Sequence, residues 1–156
     1  AWGPLNTLVV DTPPGTGDVH LSLIQNVPIR GSVVVTTSHP LSLSDTRRGI
    51  EMLLKLNYYS FKFIQVPLLG VVENMAKFVC PSCKFTTPLW CASDSTEESG
   101  AAKLADQYEI PLLCQIPFEP NVLDGKEKSI PVVISHPNSF TATTFVELAC
   151  QINNLL

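Results

Sequence analysis

The chain has 156 residues, 45% hydrophobic and 15% charged, with a formal net charge of -4. That length and balance suit one globular domain spanning 1–156 with a real core, and they exclude a disordered chain. The acidic balance argues against a nucleic-acid-binding surface, which needs clustered Lys and Arg, and no apolar stretch is long enough to span a bilayer.

In chain order, LNTLVV (5–10) is a short apolar run ending in β-branched residues, which predicts a buried strand. Asp18 to Asn26 reads as a short helix and GSVVVTT (31–37) as a second strand. Ser44 can cap a helix through Leu56, with Ile50, Leu53, Leu54 and Asn57 at helical spacing. VPLLGVV (66–72) is a third strand. Ser95 and Glu98 form a capping box ahead of a helix that puts Ala101, Leu104, Ala105 and Tyr108 on one face. PLLCQI (111–116) is a fourth strand, and a last helix over 140–154 is expected to bury Phe145, Leu148, Ala149 and Ile152. Apolar strands alternating with helices predict an α/β fold, a parallel sheet with helices on both faces. Ligands of such sheets bind at the carboxyl ends of the strands, where VVD, VVTTSHP, VVEN and QIPFEP deliver their polar residues.

VVDTPPGTGD (9–18) ends the first strand in an acid followed by a stiff, glycine-rich loop. Asp11 there can hold a magnesium-bound water at a nucleoside triphosphate, and Gly15 and Gly17 let backbone N–H groups approach a phosphate. The plainer reading is an ordinary strand-to-helix turn with Asp18 capping the helix. GTGDVH misses the dinucleotide fingerprint, because His20 stands where the third glycine belongs. A phosphate loop of the G-x-x-x-x-G-K-[ST] kind is absent as well. Asn74, ending the third strand, suits the edge of an adenine or, more plainly, a turn. His39, before Pro40, reads as a turn residue.

The five cysteines are Cys80, Cys83, Cys91, Cys114 and Cys150. An odd count without a secretory signal suits a reducing compartment. Cys80 and Cys83, in FVCPSCK, are spaced to chelate one metal or share a cluster edge. No second C-x-x-C exists, so the pair is half of a four-ligand site, which a two-fold dimer would complete around an iron–sulfur cluster or a zinc. A redox pair and an inert loop pair are the alternatives. Cys114 and Cys150 read as core, and Cys91 as an ordinary thiol.

The order DTPPGTGD, TTSHPLSLSDTRRG, PLLGVVENM, FVCPSCK and IPFEP resembles the Mrp/ApbC family of iron–sulfur cluster carrier ATPases, a MinD-like branch of deviant P-loop proteins. The GTGD form and C-P-x-C-K look closest to the mitochondrial branch serving respiratory complex I. The resemblance runs from Leu8 to about Ile134. It implies the C-terminal portion of a Rossmann-like, three-layer P-loop NTPase. It implies that Asp11 is the Walker-B-like acid near magnesium, with Gly15, Thr16 and Gly17 sensing the γ-phosphate of ATP. It implies that Asn74, Pro117 and Phe118 lie against the adenine, and that Cys80 and Cys83 bind a [4Fe-4S] cluster shared across a homodimer and passed to apo iron–sulfur proteins. A mitochondrial matrix location follows from the branch, with cytosol as the alternative.

Three departures accompany the likeness. The family's P-loop lysines lie in a segment upstream of this sequence, and Ala at position 1 points to a processed or truncated product, so ATP hydrolysis is expected of the complete protein. NYYSFKFIQ (57–65) intervenes before the third strand, and Leu89-Trp90-Cys91 stands where the family has Phe-Gly. The rival expectations are a zinc-stabilised dimer, a cluster-free MinD-type nucleotide switch, and a fragment without function.

Overall fold

The computed structural model describes residues 3–59, 66–90, 98–120, 122 and 130–156. The elements run α1 (Asp18–Asn26), β1 (Ser32–Thr36), α2 (Pro40–Tyr59), β2 (Leu68–Glu73), β3 (Lys77–Val79), β4 (Thr86–Pro88), α3 (Gly100–Gln107), β5 (Leu112–Gln115), α4 (Val132–Ser135) and α5 (Phe140–Leu155). β1, β2 and β5 form a parallel sheet in the order β1-β2-β5, and β3 and β4 form a separate antiparallel hairpin. Parallel strands of this kind are rich in Val, Ile and Leu because they are buried, and β2 shows it, with Gly70, Val71, Val72 and Glu73 all buried. The register aligns Thr36 with Glu73 and Glu73 with Gln115, so the three carboxyl ends form one row.

The core sits between the sheet and α3. Val71, Ala101 and Ala105 are buried together, with Val34, Ile110 and Leu112 packed around them. The two alanines let the helix backbone come close to the strand. Gly70 serves the same need inside the sheet, since a Cβ there would stand 2.6 Å from the backbone oxygen of Pro111. α2 packs on β1 and on α3, and α5 packs along β5. The helical layer is open on one side of β1, where Val35 is 60% exposed. At the far end of α2 the Asn57 amide bridges to the backbone of Val66, donating to its O and accepting from its N, both at 2.9 Å. Residues 57–59 of the intervening stretch thus continue α2, and the rest of it lies outside the described residues.

Four expectations are corrected. Residues 5–10 form no strand; they run as exposed, irregular chain, with Val9 87% exposed. A β-rich run becomes a strand only beside a neighbour, and neither edge of the three-stranded sheet pairs with it. α2 begins at Pro40 rather than after Ser44: Pro40 suits the first helical position, and the ring Nδ1 of His39 accepts from Leu41 N at 3.2 Å. α3 is capped by Ser99, whose hydroxyl accepts from Ala102 N, while Ser95 lies outside the described residues. α5 half-buries Leu148 and Ile152 but leaves Ala149 exposed and Phe145 39% exposed; its buried residues, Thr141 and Ala142, lie in its first turn.

Candidate functional site

The row of strand ends is organised by one buried acid. Glu73 is 1% exposed and closes β2. Its carboxylate accepts from Ser38 Oγ, from Ser99 Oγ at 2.7 Å and from Gln115 Nε2 at 2.7 Å. Ser38 Oγ in turn accepts from Ala101 N at 2.9 Å, and Ser99 Oγ from Ala102 N at 3.1 Å. The first N–H groups of α3 therefore reach the carboxylate through two hydroxyls, and the positive end of the helix dipole favours a negative charge there. The ends of β1, β2 and β5 and the start of α3 are locked together. In the sequence the only mark of Glu73 is that it is an acid closing an otherwise apolar strand.

Asn74 follows directly. Its N–H donates to Thr36 O at 2.7 Å, and its Oδ1 accepts from Met75 N at 2.9 Å. That local bond supports Met75 in the left-handed region, φ 52°. The side-chain NH₂ of Asn74 remains available as a donor at the rim. Beside it, Ile116–Phe118 continues from β5 and pairs with the chain leaving the turn. Ala76 N donates to Ile116 O at 3.0 Å, Phe118 N to Lys77 O at 2.7 Å and Val79 N to Phe118 O at 3.0 Å. Pro117 is buried, and its carbonyl accepts from Thr141 Oγ1 at 3.1 Å, while the buried Glu119 accepts from Thr141 N at 2.7 Å. The start of α5 thus fixes the segment that lies next to Asn74.

The same strand leads to the thiols. β3 ends at Val79, and Cys80 opens the turn of the hairpin. Cys80 N donates to Phe85 O and Lys84 N to Cys80 O, both at 2.9 Å, with Lys84 left-handed at φ 60°. This tight turn brings Cys83 within hydrogen-bonding reach of Cys80. The Cys80 thiol is held below the ordinary thiol range, chiefly by the backbone N–H of Cys83, then that of Ser82, with Lys84 adding its charge. Backbone N–H groups aimed at sulfur favour thiolate, the form that binds metal. Cys83 is exposed and Cys80 half-buried. Among the described residues no third His, Cys, Asp or Glu groups with them, so the donor set there is two sulfurs. Such a pair is half of a four-ligand site for a metal ion or a cluster.

Asp11 lies in the exposed segment ahead of α1. Gly15 takes φ 104°, and Gly17 is the N-cap of α1, with Asp18 in its first turn rather than at the cap. Thr16 faces α2, where it lines a cleft of about 410 Å³ with Arg48, Glu51 and Lys55. The rim thus brings together Asn74, Pro117, Phe118 and the strand leading to Cys80, whereas Asp11, Gly15, Thr16 and Gly17 lie in the segment ahead of α1. Cys114 is half-buried on β5, with its thiol pushed up by burial and then by Glu147; Cys150 is exposed rather than core.

A family model described as "ParA: NUBPL iron-transfer P-loop NTPase" matches residues 1–153. The chain is 39% identical over 155 residues to an iron-sulfur cluster carrier protein of Helicobacter pylori, covering 99% of this chain and 38% of that one. It is 40% identical over 151 residues to the mouse iron-sulfur cluster transfer protein NUBPL, covering 97% of this chain and 43% of that one. Among solved structures, a nucleotide-binding protein of Archaeoglobus fulgidus in complex with ADP aligns with a TM-score of 0.53 and 29% identity, over 86% of this chain and 44% of that one. The chain therefore spans less than half the length of these relatives, and MinD-type structures share its fold. With the parallel sheet and the sequence match in agreement, the chain belongs to the NUBPL-type iron-transfer P-loop NTPases of the ParA group.

Proposed function

We propose that this chain is the cluster-holding portion of an iron–sulfur cluster carrier, with Cys80 and Cys83 as its ligands. The observation that supports this most is the thiol pair on a tight turn, Cys83 exposed and Cys80 half-buried, with backbone N–H groups stabilising the Cys80 thiolate. Two thiolates from each of two copies supply the four sulfur ligands of a [4Fe-4S] cargo, and a homodimer is the assembly that matches them. A cluster held at such an interface is accessible to an apo-protein's own cysteines, which suits transfer rather than permanent storage.

In the complete protein, ATP with magnesium would be taken by other residues of this chain. Asp11 would hold the magnesium-bound water, the Gly15–Gly17 loop would meet the γ-phosphate, and Asn74 with Pro117 and Phe118 would meet the base. Hydrolysis belongs to that complete protein. The branch resemblance supports a mitochondrial matrix location, with the cytosol as the alternative. Mouse and bacterial relatives are equally similar, so localisation of the full gene product decides between matrix and cytosol.

The test is iron and acid-labile sulfide content after anaerobic reconstitution, for wild type beside the double variant C80S/C83S. Iron with matching sulfide, found in dimers and lost in the variant, is expected. Zinc alone, or no metal in either protein, would replace the carrier reading with a structural one.

A further inference from the structure

Trp90 stands where the thiol hairpin returns to the body of the protein, and the cluster-carrier reading gives it no role. Its surroundings do. The indole Nε1–H donates to Met75 O at 2.8 Å, and its ring meets the His39 ring edge-on, centroids 5.5 Å apart at 80°. Just before it, Leu89 N donates to Ala76 O at 3.1 Å. His39 caps α2 and follows the buried Ser38 of the Glu73 network. Met75 follows Asn74 and holds the left-handed conformation at the turn. The indole therefore joins the outgoing strand of the hairpin to the ends of both β1 and β2.

The incoming strand is held separately. β3 pairs with Phe118 through Phe118 N to Lys77 O and Val79 N to Phe118 O, and the Phe78 and Phe118 rings lie 6.3 Å apart. A three-residue-per-strand hairpin is too short to stand alone. Its orientation is set by these two attachments, one through the 116–118 segment and one through Trp90. Of the two, only the second depends on a side chain that hydrogen-bonds the Asn74–Met75 turn.

We propose that Trp90 is a positioning residue: it pins the thiol hairpin to the Asn74–Met75 turn, so that the rim and the thiol pair move as one unit. This rests on the reading of Cys80 and Cys83 as the cluster-holding pair. The indole N–H supplies the directional bond, and the His39 edge supplies the lateral contact. Displacing the turn, as a bound base would, then displaces the hairpin carrying the thiols, and a cluster at the thiols resists that displacement in return.

Hydrogen–deuterium exchange on the full chain tests the pin without any cluster. W90F keeps a ring and removes the N–H; H39N keeps a helix-capping side chain and removes the aromatic edge. In W90F the amides of 74–79 and of Thr86, Thr87 and Leu89 are expected to exchange about tenfold faster while those of α3 and β5 do not change. H39N is expected to raise the same amides by a smaller factor, and it stands in should W90F fail to fold. Wild-type exchange in the hairpin and turn, or acceleration confined to residues 86–89, would overturn the proposal. For reconstituted protein, iron release to a chelator is expected to be roughly threefold or more faster in W90F at equal starting load. Equal release rates would reduce Trp90 to a purely structural contact. If no form holds iron, the carrier reading fails on its own, and the exchange result still decides whether Trp90 pins the hairpin.

Discussion

Replacing Glu73 with Gln changes one oxygen to an NH₂ in a site with almost no room to adjust. The carboxylate accepts from Ser38, Ser99 and Gln115, two of these bonds meeting at Oε2. A Gln amide can keep its oxygen toward Ser99 and Gln115, which turns its NH₂ toward Ser38. Ser38 Oγ already accepts from Ala101 N, and its own hydrogen would then have no acceptor. The buried Ser38 cannot turn to water for a substitute. One unmet buried donor, plus weaker bonds once the charge is gone, amounts to about 2–3 kcal/mol. For a chain of this size that is a fall of roughly 4–12 °C in melting temperature. Glu73→Ala removes every acceptor and leaves a void, costing about 4 kcal/mol. Denaturant unfolding of wild type, E73Q, S99A and the double variant measures both the loss and the coupling within the network. A stability for E73Q within about 0.5 kcal/mol of wild type would refute the view that this carboxylate locks the strand ends.

Gly70→Ala places a Cβ against Pro111 O, which cannot retreat without breaking its 2.8 Å bond from Val71 N; a loss of about 2 kcal/mol is expected in denaturant unfolding. The fold is expected to weaken in alkali. Burial, then Glu147, raises the Cys114 thiol, and burial, then the hydrogen bond to Glu51, raises Tyr108. The unfolded chain thus loses these protons at lower pH than the folded one. Their contribution is whole below the unfolded thiol range and is lost as pH rises through the folded values. Denaturant midpoints from neutral pH upward check this, and Cys114→Ala should flatten part of the decline.

How much of this was legible in the sequence differs from element to element. β1, β2 and β5 were readable because each is a β-branched or apolar run whose burial its own composition demands. The thiol pair was readable because two cysteines at that spacing form one local turn, needing only the backbone of residues 80–85. The arrival of Asn74, Pro117 and Phe118 at one rim followed from the rule that parallel strands present their carboxyl ends together. Other features depended on neighbours. LNTLVV has the composition of a strand, yet a strand exists only through hydrogen bonds to another, and none reaches it here. Helix starts were set by competition among nearby caps, which Pro40 and Ser99 won by position. Glu73 looked like one more polar residue after a strand. Its role appeared only when Ser38, Ser99 and Gln115, distant in sequence, converged on it. Trp90 likewise carried no message until folding set it on Met75 and His39. Local chemistry, patterning and short-range turns were written in the sequence. The tertiary structure alone decided which polar groups met, because hydrogen bonds between residues far apart in the chain depend on the packing that brings them within 3 Å or so of each other.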